Sequence, residues 1–516
     1  MRKHLFTLIC ITSFVLTACS SSSKNEVIPT PKPTPEPTEF NELHSLKLII
    51  ESDSEVVTLE GELNTLKNKM EFNYRGWIDN IEEVKLSYNG TGKFYLNDKE
   101  VLSDETGVNM SSRTLNLILK SDTLLNQEYE VSLIAPQTTG LPVIKIDVTD
   151  NIDIGKLPKT KEYHPSTIHI SDYKDNKYSL VANGGVRGRG NSTWGYPKKP
   201  MRIKFDDKTS LFGLAAEKNW VLLANYLDPT FLMNSVAFEI AHRLDLEFTN
   251  TDFHVELFYN GEYKGNYQLT EQVQVKDKRI QVDKKTGFLV ELDTYFDDES
   301  KFRTNHLNLP VMVKYPTIKS DSEMDFIKEA FEELEQVLLD KEKRKTADLS
   351  KYIDIESFVK YMFVYEVTAN YEVQHPKSVK MYKKNADEPL KLGPVWDFDW
   401  AYGKNPSMGN FDYFNYQEDL AFRPNLAGKA HTFFQLFLFN DEFCRKYIDL
   451  WNECNRNNMF DLDTFLDNKS KKLTNSQALN YELWNNGLLF QEQVNRMKIW
   501  LNDRVKYANR EINNFR

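Results

Sequence analysis

Gly393-Pro394-Val395-Trp396-Asp397-Phe398-Asp399-Trp400-Ala401-Tyr402-Gly403 is the stretch around which the chain is organised. As an extended segment it has period two, with Trp396, Phe398 and Trp400 on one face and Asp397 and Asp399 on the other. The aromatic face calls for a core. The opposite face holds two carboxylates one repeat apart, and in a partly buried cleft their repulsion is several times that in water. A divalent cation removes that repulsion, and Mg²⁺ commonly takes one or two carboxylates together with substrate phosphates. A half-buried strand whose two aspartates face solvent has the same spacing, so other stretches must decide.

An upstream loop supplies the opposite charge. Gly184-Gly185-Val186-Arg187-Gly188-Arg189-Gly190-Asn191-Ser192-Thr193-Trp194 packs four glycines, two arginines and a Ser-Thr pair together. Glycine lets backbone N–H groups approach an anion closely, and the arginine fork matches phosphate oxygens. A tight loop with solvated arginines is the alternative. Residues 197–205 follow as a strand bearing Lys198, Lys199, Arg202 and Lys204. A hairpin at 254–269 turns on Asn260-Gly261 and delivers Thr270-Glu271. Residues 287–292 form an apolar strand leading to an acidic loop at Asp297-Asp298-Glu299, and 311–316 a strand with one inward-capable lysine, Lys314.

These stretches occur in a particular order: Arg187–Trp194, Gly261–Glu271, Gly287–Asp293 and Gly393–Gly403. Over roughly residues 141–516 the sequence resembles the spore-coat CotH kinase family of divergent, atypical protein kinases. The resemblance implies a two-lobed kinase-like domain using ATP and Mg²⁺ (or Mn²⁺). It implies that Arg187, Asn191 and Ser192 contact nucleotide phosphates, and that Lys199 or Lys204 pairs with Glu271 in the kinase lysine–glutamate role. Lys314 is a second nucleotide contact. Asp397 becomes the metal-binding aspartate with Asp399 in support, and Asn370 and Glu372 fall where the family places an asparagine and an acidic residue ahead of the metal strand. The chain departs from the family here. Members usually carry aspartate at the Glu372 position and a His–Asn pair where this chain has Lys377-Ser378. The extra methylene of Glu372 moves a catalytic base by about an ångström.

With 516 residues, 40% hydrophobic and 27% charged, the chain has the length for more than one domain and a large core. Its net charge of −11 argues against a nucleic-acid partner, so phosphate handling must be local. Residues 1–19 have a basic start, an apolar run from Leu5 to Leu16 and Leu16-Thr17-Ala18-Cys19, which resembles the bacterial lipobox with Cys19 lipidated. Residues 20–41 are a Ser- and Pro-rich tether, extended by polyproline preference. The expected product is an exported, membrane-anchored lipoprotein, in the outer membrane or at the cell surface if the source is Gram-negative. Cys444 and Cys454 sit about 15 Å apart along one predicted helix, too far for a disulfide.

Residues 42–138 alternate apolar and polar residues between turn signals, the pattern of an Ig-like β-sandwich without catalytic groups. From Ser322 the period becomes helical, and 432–516 is helical and aromatic-rich. The expected class is α+β. The expected function is transfer of phosphate from a nucleotide to Ser/Thr of secreted or surface proteins. The alternative is a non-catalytic surface binding or adhesion lipoprotein, favoured by the tether, the added β domain, the altered Glu372 region and the scarcity of ATP outside cells. Glycoside hydrolysis is disfavoured because Asp397 and Asp399 share one segment, whereas such carboxylates flank a sugar from opposite sides.

Overall fold

The computed structural model describes residues 37–51, 56–73, 81–134, 139–171, 178–298, 300–373, 376–403, 416–417, 420–422 and 429–515. Residues 1–36, on which the expected leader, Cys19 and most of the expected tether fall, lie outside them. The chain divides into two compact units, one within Met1–Phe72 and Asn80–Leu133, the other within Asn73–Asp79 and Ile134–Arg516.

The first unit contains Leu43–Glu51 (β1), Val56–Glu60 (β2), Glu62–Asn64 (β3), Lys69–Asn73 (β4) and Val84–Gly90 (β5). Lys93–Leu96 (β6), Lys99–Val101 (β7), Gly107–Val108 (β8), Thr114–Lys120 (β9) and Gln127–Ile134 (β10) complete it. They make a four-stranded sheet, β2-β1-β5-β8, and a six-stranded one, β3-β4-β10-β9-β6-β7. Alternation builds both: Leu46, Leu48 and Ile50 of β1 and Leu117 and Leu119 of β9 are buried, while the residues between them are not. The sheets touch where the Tyr88 and Phe94 rings meet edge to face at 4.7 Å and where Leu43 N–H donates to the Tyr129 hydroxyl.

The second unit opens with Val143–Val148 (β11), His164–Ser171 (β12), Leu180–Gly188 (β13), Met201–Thr209 (β14), Glu217–Leu223 (β15), Asp252–Tyr259 (β16) and Glu262–Glu271 (β17). These close a barrel in the order β11-β12-β13-β14-β15-β17-β16. All pairings are antiparallel except β11–β16, which is parallel. Ile144, Ile168, Val186, Ile203, Trp220, Leu222, Val255 and Leu269 belong to its apolar filling. The β16–β17 hairpin turns at Asn260-Gly261, both at positive φ (49° and 75°), as a two-residue turn requires.

Met233–Arg243 (α1) lies between β15 and β16 in sequence. A mixed region follows, with Phe288–Leu292 (β18), Lys301–Arg303 (β19), Pro310–Tyr315 (β20), Val379–Lys383 (β21) and Lys391–Leu392 (β22) in sheet order β19-β20-β18-β21-β22. Its helices are Asp325–Leu339 (α2), Lys341–Thr346 (α3), Ile355–Thr368 (α4), Lys429–Phe437 (α5), Asp441–Arg456 (α6), Asp463–Trp484 (α7) and Phe490–Asn513 (α8). From Phe358 to Thr368 every residue of α4 but Lys360 is buried, so α4 is the central helix of the largest core. The fold is mixed α+β, strand-rich first and helical at the C-terminal end.

The structure corrects the reading of the Asp397 stretch. Residues 394–400 are not a strand: Asp397 has φ of +69°, outside the extended region, and the hairpin partner of Val379–Lys383 is Lys391–Leu392. The two faces survive in part, with Trp396 and Phe398 buried and Asp397 and Asp399 half-buried, but Trp400 is not in the core. Helix α1 begins at Met233. Asp228 accepts N–H bonds from Thr230 and Met233, each 2.8 Å, and so caps the turn that precedes the helix. Cys444 and Cys454 are both free and both on α6.

Candidate functional site

A cleft of about 500 Å³ is lined by the Gly-rich loop with strands β13 and β14, and opposite them by β18, β20 and residues 372–400. Its two walls carry opposite charge.

Arg187, Arg189 and Arg202 form the cationic wall. Arg187 of β13 stands directly across from Arg202 of β14, and like charges in that position repel. Each of the three has a buried Nε atom with no hydrogen-bond partner among the described residues. Arg187 is held by Nη1, which donates to the carbonyls of Lys159 and Thr160 at 2.7 and 2.5 Å. The Arg189 guanidinium lies over the Trp396 ring, 5.4 Å from its centroid. Burial and then Arg202 push Arg189 down to about 10, against the pull of Asp397, so it remains charged at neutral pH. The loop beyond it depends on Gly190 (φ +87°), where a Cβ would come within 2.1 Å of the Thr193 hydroxyl. Asn191 and Ser192 line the cleft and are exposed.

Glu291, Asp293, Glu372, Asp397 and Asp399 form the facing wall, with Asp297 and Asp298 also lining the cleft. The segment carrying Asp397 is fixed from two sides. Asn234 of α1 accepts the Phe398 N–H at 2.9 Å, and Tyr402 donates its hydroxyl to the Met233 carbonyl at 2.7 Å. From the end of α4, Asn370 Nδ2 donates to the Asp397 carbonyl at 3.2 Å, while Asn370 Oδ1 accepts the Glu372 N–H at 2.9 Å. Ser378 Oγ lies 3.4 Å from Asp397 Oδ2. Glu372 is 4% exposed, and its Oε2 has no partner among the described residues. Burial, then Asp397 and Asp399, push its carboxyl well above the usual range, with Lys377 opposing. Burial pushes Asp293 up to about 6 against its bond from the Tyr295 N–H, and Glu291 adds to the shift.

Glu291 is the exception on this wall. Burial acts to raise it, but Lys380 at 2.8 Å and Lys314 at 2.9 Å hold it down at about 2. Lys314 also pairs with Asp298. Among the described residues no ion pair crosses from the three arginines to the carboxylates. No group of three or more His, Cys, Asp or Glu side chains able to hold a metal ion occurs among them either. The donors present suit a cation that brings its own phosphate ligands: one or two carboxylates, a nearby hydroxyl and an orphaned buried carboxyl oxygen.

The sequence matches the family described as CotH kinase protein over residues 186–508, well over half of the chain. The chain belongs to the CotH kinase family. No curated protein matches it. Among solved structures, a DUF4623 family protein from Bacteroides eggerthii is 12% identical, with a TM-score of 0.15, over 32% of this chain and 47% of that one. So low a score carries no argument, and the match spans about half the length of that protein.

Of the residues assigned from the CotH resemblance, the cleft brings together Arg187, Asn191, Ser192, Lys314, Glu372, Asp397 and Asp399, with Asn370 bonded beneath Asp397. It does not bring in Lys199, Lys204 or Glu271. Lys199 donates to the Trp194 carbonyl at 2.8 Å, and Lys204 lies over the Tyr163 ring. Glu271 accepts the Thr251 N–H at 2.8 Å, and burial raises its pKa. The lysine–glutamate pairs at the cleft are Lys314–Glu291 and Lys380–Glu291. Sequence reasoning gave no role to Glu291, Asp293, Arg202, Lys380 or Ser378, and read Arg189 only as one of the loop's two arginines. One signal was available: a single glutamate inside the otherwise apolar run Phe288–Leu292, whose burial demands a partner.

Proposed function

We propose that the cleft binds ATP with Mg²⁺ or Mn²⁺ and transfers the terminal phosphoryl group to a Ser or Thr hydroxyl of a secreted or surface protein. One observation carries this reading: a wall of three arginines faces a wall of carboxylates, and no ion pair joins them among the described residues. A ligand that is anionic toward one wall and cationic toward the other satisfies both, and a metal-bound polyphosphate is such a ligand. In this reading the barrel and the helical region are the two lobes of a divergent kinase fold. The CotH membership supports it.

Arg187, Asn191 and Ser192 hold phosphate oxygens, and the Lys314–Glu291 pair sets a cation at the same side of the cleft as the carboxylates. Asp397, with Asp399 beside it, would hold the cation, which neutralises phosphate charge when bound. Asn370 fixes the Asp397 backbone. Glu372, buried beside Asp397 with a free oxygen, is ionised once a bound cation offsets the Asp397 and Asp399 charges that raise its carboxyl, and it then takes the proton from the acceptor hydroxyl as that oxygen bonds to phosphorus and the nucleoside diphosphate leaves. Charge neutralisation and positioning supply most of the rate in such transfers.

Asp397→Asn tests the assignment. Asparagine keeps size and hydrogen bonding but loses the charge the cation needs, so Mg²⁺-dependent stabilisation by ATP should vanish in thermal-shift measurements while the ligand-free protein melts within a few degrees of wild type. An unchanged Mg-ATP response in the variant overturns the role of Asp397. No Mg-ATP response in wild type turns the reading to a surface binding protein that keeps the fold.

A further inference from the structure

We infer that Arg189, lying on the Trp396 ring, is the residue that recognises the terminal phosphate and so makes the cleft distinguish a nucleoside triphosphate from a diphosphate. The inference rests on the nucleotide reading above and goes one residue deeper.

The three arginines of the cationic wall are differently committed. Arg187 is tethered through Nη1 to two backbone carbonyls, and its guanidinium lies over the Tyr163 ring. Arg202 lies near Tyr163, which favours its charged form. Arg189 makes no side-chain hydrogen bond or ion pair among the described residues, and its buried Nε lacks a partner. What holds it is the face of Trp396, at 5.4 Å. A ring face orients a guanidinium without consuming its N–H donors, leaving the planar fork available to a two-oxygen acceptor.

The platform fixes the direction as well. Trp396 immediately precedes Asp397, is 8% exposed, and is backed by Phe238 with ring centroids 6.3 Å apart. Lys380, which is bonded to Glu291, also lies against the ring at 5.8 Å. Arg189 is therefore the arginine anchored to the carboxylate side of the cleft, and Asp397 and Glu291 attract it electrostatically. The end of a polyphosphate that reaches the metal-binding carboxylates meets Arg189, while Arg187, pinned at residues 159–160, meets the part farther from them.

Affinities of the full-length protein for Mg-ATP and Mg-ADP, measured by calorimetry for wild type, Arg189→Gln and Arg187→Gln, test this. Loss of one charge-assisted contact corresponds to about a tenfold or greater fall in affinity. Arg189→Gln should lose that factor for Mg-ATP and stay within about twofold for Mg-ADP, whereas Arg187→Gln should lose affinity for both. Arg189→Lys, which keeps the charge but not the fork, should recover only part of the loss. Equal losses for the two nucleotides in Arg189→Gln, or no loss for either, overturn the assignment and leave the nucleotide reading standing. A wild type that binds neither nucleotide overturns both.

Discussion

Glu291 shows how much one buried carboxylate sets in this molecule. Its folded pKa of about 2 lies below the ordinary 4.5, so its ion pairs contribute stability that is fully present above about pH 4.5 and is lost as pH falls toward 2. Asp293, two residues on, has the opposite sign. Raised from 3.8 to about 6, it favours the folded state in acid and gives that contribution up as pH rises through this range. Glu291→Gln leaves Lys380 and Lys314 facing a neutral amide in a buried position, a loss of about 3–5 kcal/mol for a broken buried pair. Urea unfolding from pH 2 to 7 should show that loss at neutral pH and a flatter acid limb between pH 4.5 and 2. An acid limb as steep as in wild type would mean that other carboxylates carry it. Asp397 and Arg187 were legible because their motifs surround them with glycine and aromatic residues. Glu291 was not, because its two lysines come from other strands, at positions 314 and 380.

Among the elements, the sequence was clearest where a local signal settles the geometry. Asn260-Gly261 can only turn tightly, and β16 and β17 lie on either side of it. It misled where tertiary contacts decide: the alternation of 394–400 reads as a strand until Asn370 and Asn234 fix a backbone with positive φ at Asp397. Nor does any local pattern foretell the parallel β11–β16 pairing that closes the barrel. The basic run before β14 belongs in the same class. Lys198 does not face the cleft; it is fully buried, and burial lowers it to about 7. It donates to the Asn266 carbonyl and, at 2.8 Å, to Asn480 Oδ1 of α7. Close by, Gly265 (φ +87°) leaves no room for a Cβ, which would come within 2.5 Å of Asn480 Oδ1. Asn480→Leu should therefore destabilise by about 3 kcal/mol, since it strands a buried amine. Adding Lys198→Met should restore more than half, because removing both partners spares the desolvation penalty. Denaturant midpoints of the two single variants and the double variant measure this, and simple additivity would show that no latch exists.

For the whole molecule, the question is where it works. Residues 1–36 lie outside the described residues, and no helix among those described is long and apolar enough to cross a membrane. Attachment through a lipid on Cys19 is our proposal from the lipobox-like sequence. Cys19→Ala should move the protein from the membrane pellet to the soluble fraction after cell disruption; full retention in the pellet would refute it. The latch between β17 and α7 also bears on timing. Lys198 and Asn480 are 282 positions apart, so the strand beside the arginine wall is fastened by a helix synthesised far later. A ribosome delivers the N-terminal end first, and until Asn480 emerges the buried amine of Lys198 lacks one of its two acceptors. The barrel segment beside the arginine wall is therefore completed from a distant part of the chain, and Lys198 gains its second acceptor only when α7 docks.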